Sequence, residues 1–438
     1  MVKRLFVGIF GLVLTAFVLS ACSGSGGSDS AAGGENDVEI PEGATEVVMW
    51  NLFGGGDAEY MQDIVGKFNE SQSEYFVNNV MQEHEEYYTK LLTSIGAGKG
   101  PDIGIAHTHV LPELVNQGLV TGLDDIASSV GVKWDEFNQN ILDATIYEGV
   151  HYAVPIDTHA QIMYINNKLV GDAGLLNDDG SVKMEQTPEG YVDFFTTLKD
   201  NLPEGKIPFA FSSSGNDPYW LWWGYYTQLG GRGILTEDSL ENPKYDIDLD
   251  KAVQAANFLK DLYHDKEIIP LNISDFYAEF QSENAATMTS GVWATGIWET
   301  TEGLDFTPMP IPNVFGEKGA WASSHTLVLP YYQDANQEVQ KGALEFMKFV
   351  ADNGAMWAQA GHIPAKDSVV ESEEFQELPY RNEYAEVASY VNFVDRNIYA
   401  RGVEEIVVRH LDTVWAGDAT AEEAFAAIET EVKKLIGE

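Results

Sequence analysis

The chain has 438 residues, with 25 basic against 69 acidic side chains and a formal net charge of −44. That excess makes nucleic acid a poor partner, since phosphates are repelled rather than neutralised. One cysteine excludes an internal disulfide, and the length exceeds what a single core holds, which predicts two domains.

Lys3 and Arg4 precede an apolar run over residues 5–19, and Leu19-Ser20-Ala21-Cys22 closes it. The layout is that of a secretory signal, too short and wrongly flanked for a spanning helix. The small residues before Cys22 resemble a lipobox, the signature of bacterial lipoproteins. The resemblance implies cleavage after residue 21 and diacylglycerol on the Cys22 sulfur, since two acyl chains anchor firmly where one is marginal. Residues 23–35 are almost entirely Ser, Gly, Ala and Asp. They predict a flexible tether, 22–44 in all, spanning roughly 25 Å. No other apolar run is long enough to cross a bilayer. The acidity itself reads as surface carboxylates of a protein from a salty or alkaline habitat, or as selection for a cationic ligand.

Val47-Val48-Met49-Trp50 predicts a buried strand, closed by Gly54-Gly55-Gly56. Met61, Ile64, Val65 and Phe68 fall at helical spacing. Residues 76–80 predict a second strand. Tyr88, Leu91, Leu92 and Ile95 predict a helix, and residues 103–106 a third strand. Alternating strands and helices predict an α/β fold with a parallel sheet covered on both faces. Extended apolar stretches at 150–156 and 162–165 lie where the first domain hands over to the second. Asp217-Pro218 predicts a helix start, with Asp as cap. Further helices are predicted around Ala252 to Leu262, Ala343 to Val350 and Val403 to Val414. Thr420 and Glu423 predict a capping box for the last helix.

Enzyme motifs are largely missing. No G-x-S-x-G elbow occurs, and His84-Glu85-Glu86-Tyr87-Tyr88 breaks the H-E-x-x-H zinc motif by placing Tyr88 at its second histidine. His107 and His109 offer two ligands without an identifiable third, and no clustered acid or histidine set is evident, so no metal, cofactor or catalytic residue is assigned. The aromatics are more telling. Tyr219, Trp220, Trp222 and Trp223 cluster in one turn, and Trp293, Trp298, Trp321 and Trp357 lie near Gly, Ser or His. These rings read either as core or as flat walls for the C–H faces of a sugar. Asp157-Thr158-His159 and Ser323-Ser324-His325 flank apolar strands, where their side chains read either as local caps or as contacts for ligand hydroxyls.

From about Val47 onward the chain resembles the extracellular solute-binding proteins of sugar ABC importers, the maltodextrin-binding family in the broad sense. The resemblance is carried by Trp50 with the glycines after it and by Gly100-Pro101-Asp102-Ile103. Gly118-Leu119-Val120, the 152–159 and 164–168 stretches and the 217–223 block add to it. Gly291-Val292-Trp293 and Gly361-His362-Ile363-Pro364-Ala365 complete it. It implies a two-lobed, class II periplasmic-binding-protein-like fold with a hinge and a cleft. One lobe takes 45–156 plus 325–372, the other 157–324 plus 373–438. It further implies a monomer, held outside the membrane by its lipid, that closes on a carbohydrate and offers it to a permease. Stacking aromatics fall at Tyr219 or Trp220 and at Trp293, and a polar contact at His159. The residue after Trp50 is often histidine in relatives, and here it is Asn51. Phe53, Tyr87, His107, Asp157, Trp222, Trp321, His325, Trp357 and His362 complete the expected ligand-binding set. A Gram-positive host fits, because such cells lack an outer membrane to retain a free binding protein. The rival readings are a secreted polysaccharide hydrolase and a binder of polyamine, metal or phosphate on the same fold.

Overall fold

The computed structural model describes residues 40–438 apart from 85, 237 and 238. The signal segment, Cys22 and the tether as far as residue 39 lie outside the described residues. Among the described residues, thirteen strands follow in chain order. They are β1 (Thr45–Asn51), β2 (Tyr75–Met81), β3 (Ile103–His107), β4 (Ile146–Tyr147), β5 (Val150–His151), β6 (Ala153–Pro155) and β7 (Asp157–Asn166). Then come β8 (Thr287–Gly291), β9 (Phe306–Pro310), β10 (Trp321–Ser323), β11 (His325–Val328), β12 (Ile363–Pro364) and β13 (Asn392–Phe393).

The first sheet has the order β2-β1-β3-β11-β6. β1 runs parallel to β2 and to β3, as the strand–helix alternation predicts. β11 runs antiparallel to both β3 and β6, so the sheet is mixed rather than parallel. The reason is topological: β11 enters from the other half of the molecule and meets this sheet head-on. Val47, Met49, Ile103, Ile105 and Leu327 line its core. Helix Gly55–Ser71 covers it with Met61, Ile64 and Phe68, and helix Gln337–Asp352 with Phe346, Met347 and Val350.

The second sheet is organised around β7, whose ten residues are all buried. It pairs antiparallel with β12 and β10 along its first half and with β8 and β9 along its second. Its core holds Ile162, Tyr164, Trp222, Leu259, Leu411 and Ile428. Helix Asn216–Gln228 is capped by Gly215 rather than Asp217. Asp217 lies inside the first turn, where burial raises its carboxyl to about 6. The last helix, Ala421–Ile436, carries the predicted capping box.

Three short segments carry the chain between the two sheets. Ile156 alone separates β6 from β7, and Ser324 alone separates β10 from β11. In the third, Trp357 and Ala365 pack in the first core and Ile363 in the second. Among the described residues, no helix is long and apolar enough to cross a membrane.

Candidate functional site

Register brings the crossings to one point. His325 opposes His107 across β11 and β3. His159 opposes Ser323 across β7 and β10, and Asp157 opposes Pro364 across β7 and β12. Asp157, His159, His325 and His362 therefore converge although they lie far apart in sequence. Gly361, at φ +119°, makes the turn into His362, and a Cβ there would stand 2.0 Å from the Val292 carbonyl oxygen.

The Asp157 carboxylate is fully buried. Its Oδ1 accepts from the His325 backbone N–H at 2.9 Å and lies 3.2 Å from His159 Nδ1. Its Oδ2 lies 2.7 Å from His325 Nδ1 and accepts from Trp357 Nε1 at 2.7 Å. His362 Nδ1 stands 3.2 Å from the same oxygen, and its Nε2 stands 3.3 Å from Asp57 Oδ1. Burial favours the neutral acid, but His325, His362 and His159 hold Asp157 well below the usual carboxylate range. Burial opposes charge on His362, yet Asp57 and Asp157 raise it above the ordinary imidazole value. His159 is pushed down to about 4 by burial and then by His325, against the pull of Asp157. The two carboxylates thus favour charge on His362, while His159 is held toward the neutral form.

His107, at the carboxyl end of β3, extends the cluster, with its ring 4.7 Å from His325 and 5.4 Å from His109. The Tyr88 hydroxyl bonds His107 Nδ1 and accepts from the His107 backbone N–H at 3.0 Å. The carboxyl ends of parallel strands beside a reversal of strand order are where open α/β sheets take ligands, and β1, between β2 and β3, is such a strand. Its last residue, Asn51, is spent on Asn79 and on the Phe53 backbone N–H. Phe53 packs against His325 and Trp357 at 4.9 and 4.8 Å.

Facing these groups from the second sheet is a wall of three indoles. Trp220 stacks on Trp321 at 4.2 Å and meets Trp293 edge-on at 5.8 Å. His159 lies 5.9 Å from Trp293 and 6.0 Å from Trp321. Trp220 and Trp293 are partly exposed, whereas Trp321 is buried behind Trp220. The Nε1 atoms of Trp220 and Trp321 are buried without a hydrogen-bond partner, while Trp293 Nε1 donates to the Tyr277 hydroxyl at 3.1 Å. Gly291 gives Trp293 its place, since a Cβ there would fall 1.9 Å from the indole.

Three expected residues point elsewhere, and a fourth, Trp357, serves the Asp157 cluster as a support. Trp222 is fully buried, donates to the Ala252 carbonyl at 3.0 Å and stacks on Tyr226. Tyr219 packs beside it at 1% exposure. The Tyr87 hydroxyl accepts from the Ile105 N–H at 2.8 Å and ties helix Tyr87–Gly96 to β3. Trp357 supports Asp157 and lies stacked on His362 at 4.6 Å. Asp57, by contrast, has no sequence signature, because one acid among 69 carries no signal. The fold also corrects the expectation that no acid–histidine set exists. Roomier cavities of about 750 and 630 Å³ lie apart from this chemistry and share Asp143 and Arg396. Both are lined by chain from either side of the crossings, Asn116 and Ile146 facing Leu240 and Arg396 in the one and Asn140 facing Trp223 and Asn392 in the other, whereas the converging polar and aromatic groups surround Asp157.

Residues 63–382 match the family described as bacterial extracellular solute-binding protein. The chain belongs to that family. A solute-binding relative from Halalkalibacterium halodurans, described as an arabinooligosaccharide-binding protein, is 24% identical over 351 residues, or 77% of this chain and 75% of its own. A maltotriose-binding protein of Pyrococcus abyssi is 20% identical over 348 residues, covering 77% and 70%. Among solved structures, the GacH receptor of Streptomyces glaucescens, studied unliganded and with acarbose, superposes with a TM-score of 0.75 at 18% identity. That match covers 90% of this chain and 99% of the other. UgpB of Mycobacterium tuberculosis, in complex with glycerophosphocholine, matches with a TM-score of 0.76 at 19% identity over 90% and 98%. These likenesses give the solute-binding protein its fold class, a two-lobed α/β architecture.

Proposed function

We propose that this solute-binding protein captures a carbohydrate between its halves and hands it unaltered to an ABC permease. The observation that carries the reading is the indole wall beside a file of buried histidines. Trp220 and Trp293 present ring faces to the C–H patches of a sugar, and Trp321 backs Trp220. The unpartnered Nε1 donors of Trp220 and Trp321 are buried polar groups that a hydroxyl would satisfy. The Nε2 edges of His159 and His325 lie outside the Asp157 bonds and supply further contacts. Asp157 itself already faces these donors, so it orients the histidines rather than the ligand. The names of the two oligosaccharide-binding relatives support an oligosaccharide over a monosaccharide.

The same reading takes 45–156 plus 325–372 as one lobe and 157–324 plus 373–438 as the other, hinged at the three crossings. Hinge closure traps the sugar. The protein is a monomer on the outer face of a Gram-positive membrane, anchored through Cys22. Thermal-shift screening across oligosaccharides, amines and phosphate tests it. A ligand at a hundred times Kd adds about 2.7 kcal/mol, a shift of roughly 3 °C for a chain of this size. Release of reducing ends from any sugar that binds would replace capture by hydrolysis.

A further inference from the structure

Asp157, His159, His325 and His362 offer one ligand atom each, and those atoms all lie within 4.8 Å of one another. The four side chains are 0, 3, 6 and 1% exposed. Hydrogen bonding to Asp157 accounts for His159 and His325. His362 differs: its two ring nitrogens are buried 3.2 Å from Asp157 Oδ2 and 3.3 Å from Asp57 Oδ1, and neither contact is aligned as a hydrogen bond. Its Nδ1 is aimed into the group with its hydrogen-bonding capacity poorly used.

We propose that these four residues bind a divalent transition-metal ion. The donor set is three imidazole nitrogens and one carboxylate oxygen, which suits zinc and its first-row neighbours. Calcium and magnesium demand a shell of oxygens that this cluster lacks. Tetrahedral ligands on bonds of ~2.0–2.1 Å stand roughly 3.3 Å apart. A ring nitrogen of each histidine stands 2.7 to 3.2 Å from an Asp157 oxygen, a little inside that spacing, and all four ligand atoms lie within 4.8 Å of one another. The surrounding residues have the arrangement that holds ligands in place. Asp57 stands behind His362 Nε2, giving a carboxylate–histidine–metal relay, and it supplies a second negative charge close to the ion. Trp357 donates to Asp157 and stacks on His362, which fixes both ligand orientations. The ion ties together β7, β11 and the segment leading into β12, so it staples all three crossings between the sheets. The ion would use Nδ1 of His159 and His325 and leave their Nε2 edges to a sugar, and its test needs no sugar.

The full chain, purified in detergent without a histidine tag and stripped with a chelator, is titrated with zinc against a chromophoric competitor. The expected result is one ion per chain at micromolar affinity or tighter. Cobalt(II) in its place gives visible d–d bands of four-coordinate nitrogen–oxygen ligation. His362→Gln removes one of the four ligands and weakens zinc by at least about 100-fold, the upper figure for losing an outer partner alone, with the circular dichroism spectrum unchanged, and Asp157→Asn abolishes the cobalt bands. The double variant His84→Gln, His151→Gln, altered outside the cluster, leaves the affinity unchanged. No saturable binding, or binding lost with the control pair and kept with His362→Gln, would overturn the assignment. Should Asp157→Asn not fold, the His362→Gln titration and the cobalt spectrum of the parent protein decide alone.

Discussion

Asp157 holds His325 twice, through its backbone N–H at 2.9 Å and its ring Nδ1 at 2.7 Å. The two residues begin β7 and β11, the strands that follow two crossings in opposite directions. One buried carboxylate therefore fixes the starts of both strands at the junction of the halves. Asn at this position keeps the shape but loses the charge and turns an amide toward the facing donors. Removing one partner from a buried ionic set costs about 3–5 kcal/mol. We expect Asp157→Asn to lower urea stability at pH 7 by about that much, and a loss under ~1 kcal/mol would contradict the role.

Trp222 and Trp293 look alike in sequence and have different work. Trp222→Ala opens a hole in the second core, and stability falls by about 3–5 kcal/mol. Trp293→Ala keeps the fold and weakens sugar binding at least tenfold, about 1.4 kcal/mol. Gly291→Ala displaces the same indole without removing it, and the binding loss matches that of Trp293→Ala. Calorimetric titration beside urea melts separates the effects. Equal binding losses for Trp222→Ala and Trp293→Ala, with equal stability, would erase the distinction.

Acid weakens the site through His109. Burial, then Arg401 and His159, push this imidazole down to about 4, with the His107 ring 5.4 Å away. Its folded value lies below the ordinary value near 6.5, so the unfolded chain takes the proton first. The stability it contributes is whole above pH ~6.5 and lost as the pH falls toward 4, at no more than about 1.4 kcal/mol per unit. In chelator-treated protein, urea stability falls between pH ~6.5 and ~5, and His109→Gln falls less by roughly 1 kcal/mol. Parallel declines in the two proteins would remove His109 as the cause.

Cys22→Ala removes the proposed attachment point. The protein is expected to move from the membrane fraction to the medium with its ligand affinity intact. Retention in the membrane fraction would show that acylation at this residue is not the anchor.

Local features are legible in the sequence because they depend on near neighbours. The apolar run 47–50 lies within β1, and Thr420 and Glu423 form the capping box. The resemblance singles out Trp293, which lies beside Trp220 and His159. Asp157, His159, His325, Trp357 and His362 are each singled out in the sequence, but their joining is not legible, since the contacts link residues 168 and 200 positions apart and only strand register brings them together. Trp222 misleads because a helix that is aromatic on every side gives no sequence sign of which face meets the core. The reversed strand β11 is hidden for a related reason: its direction depends on which sheet the chain has just left.

That the indole wall grips a carbohydrate is tested most directly by titrating the full chain with arabino- and malto-oligosaccharides while following tryptophan emission and heat. A sugar-capturing protein shows saturable one-to-one binding to at least one of them, a changed emission that Trp293→Ala abolishes, and no released product. Saturation with an unchanged emission, or no binding to any sugar alongside tight binding of an amine or phosphate, would contradict it.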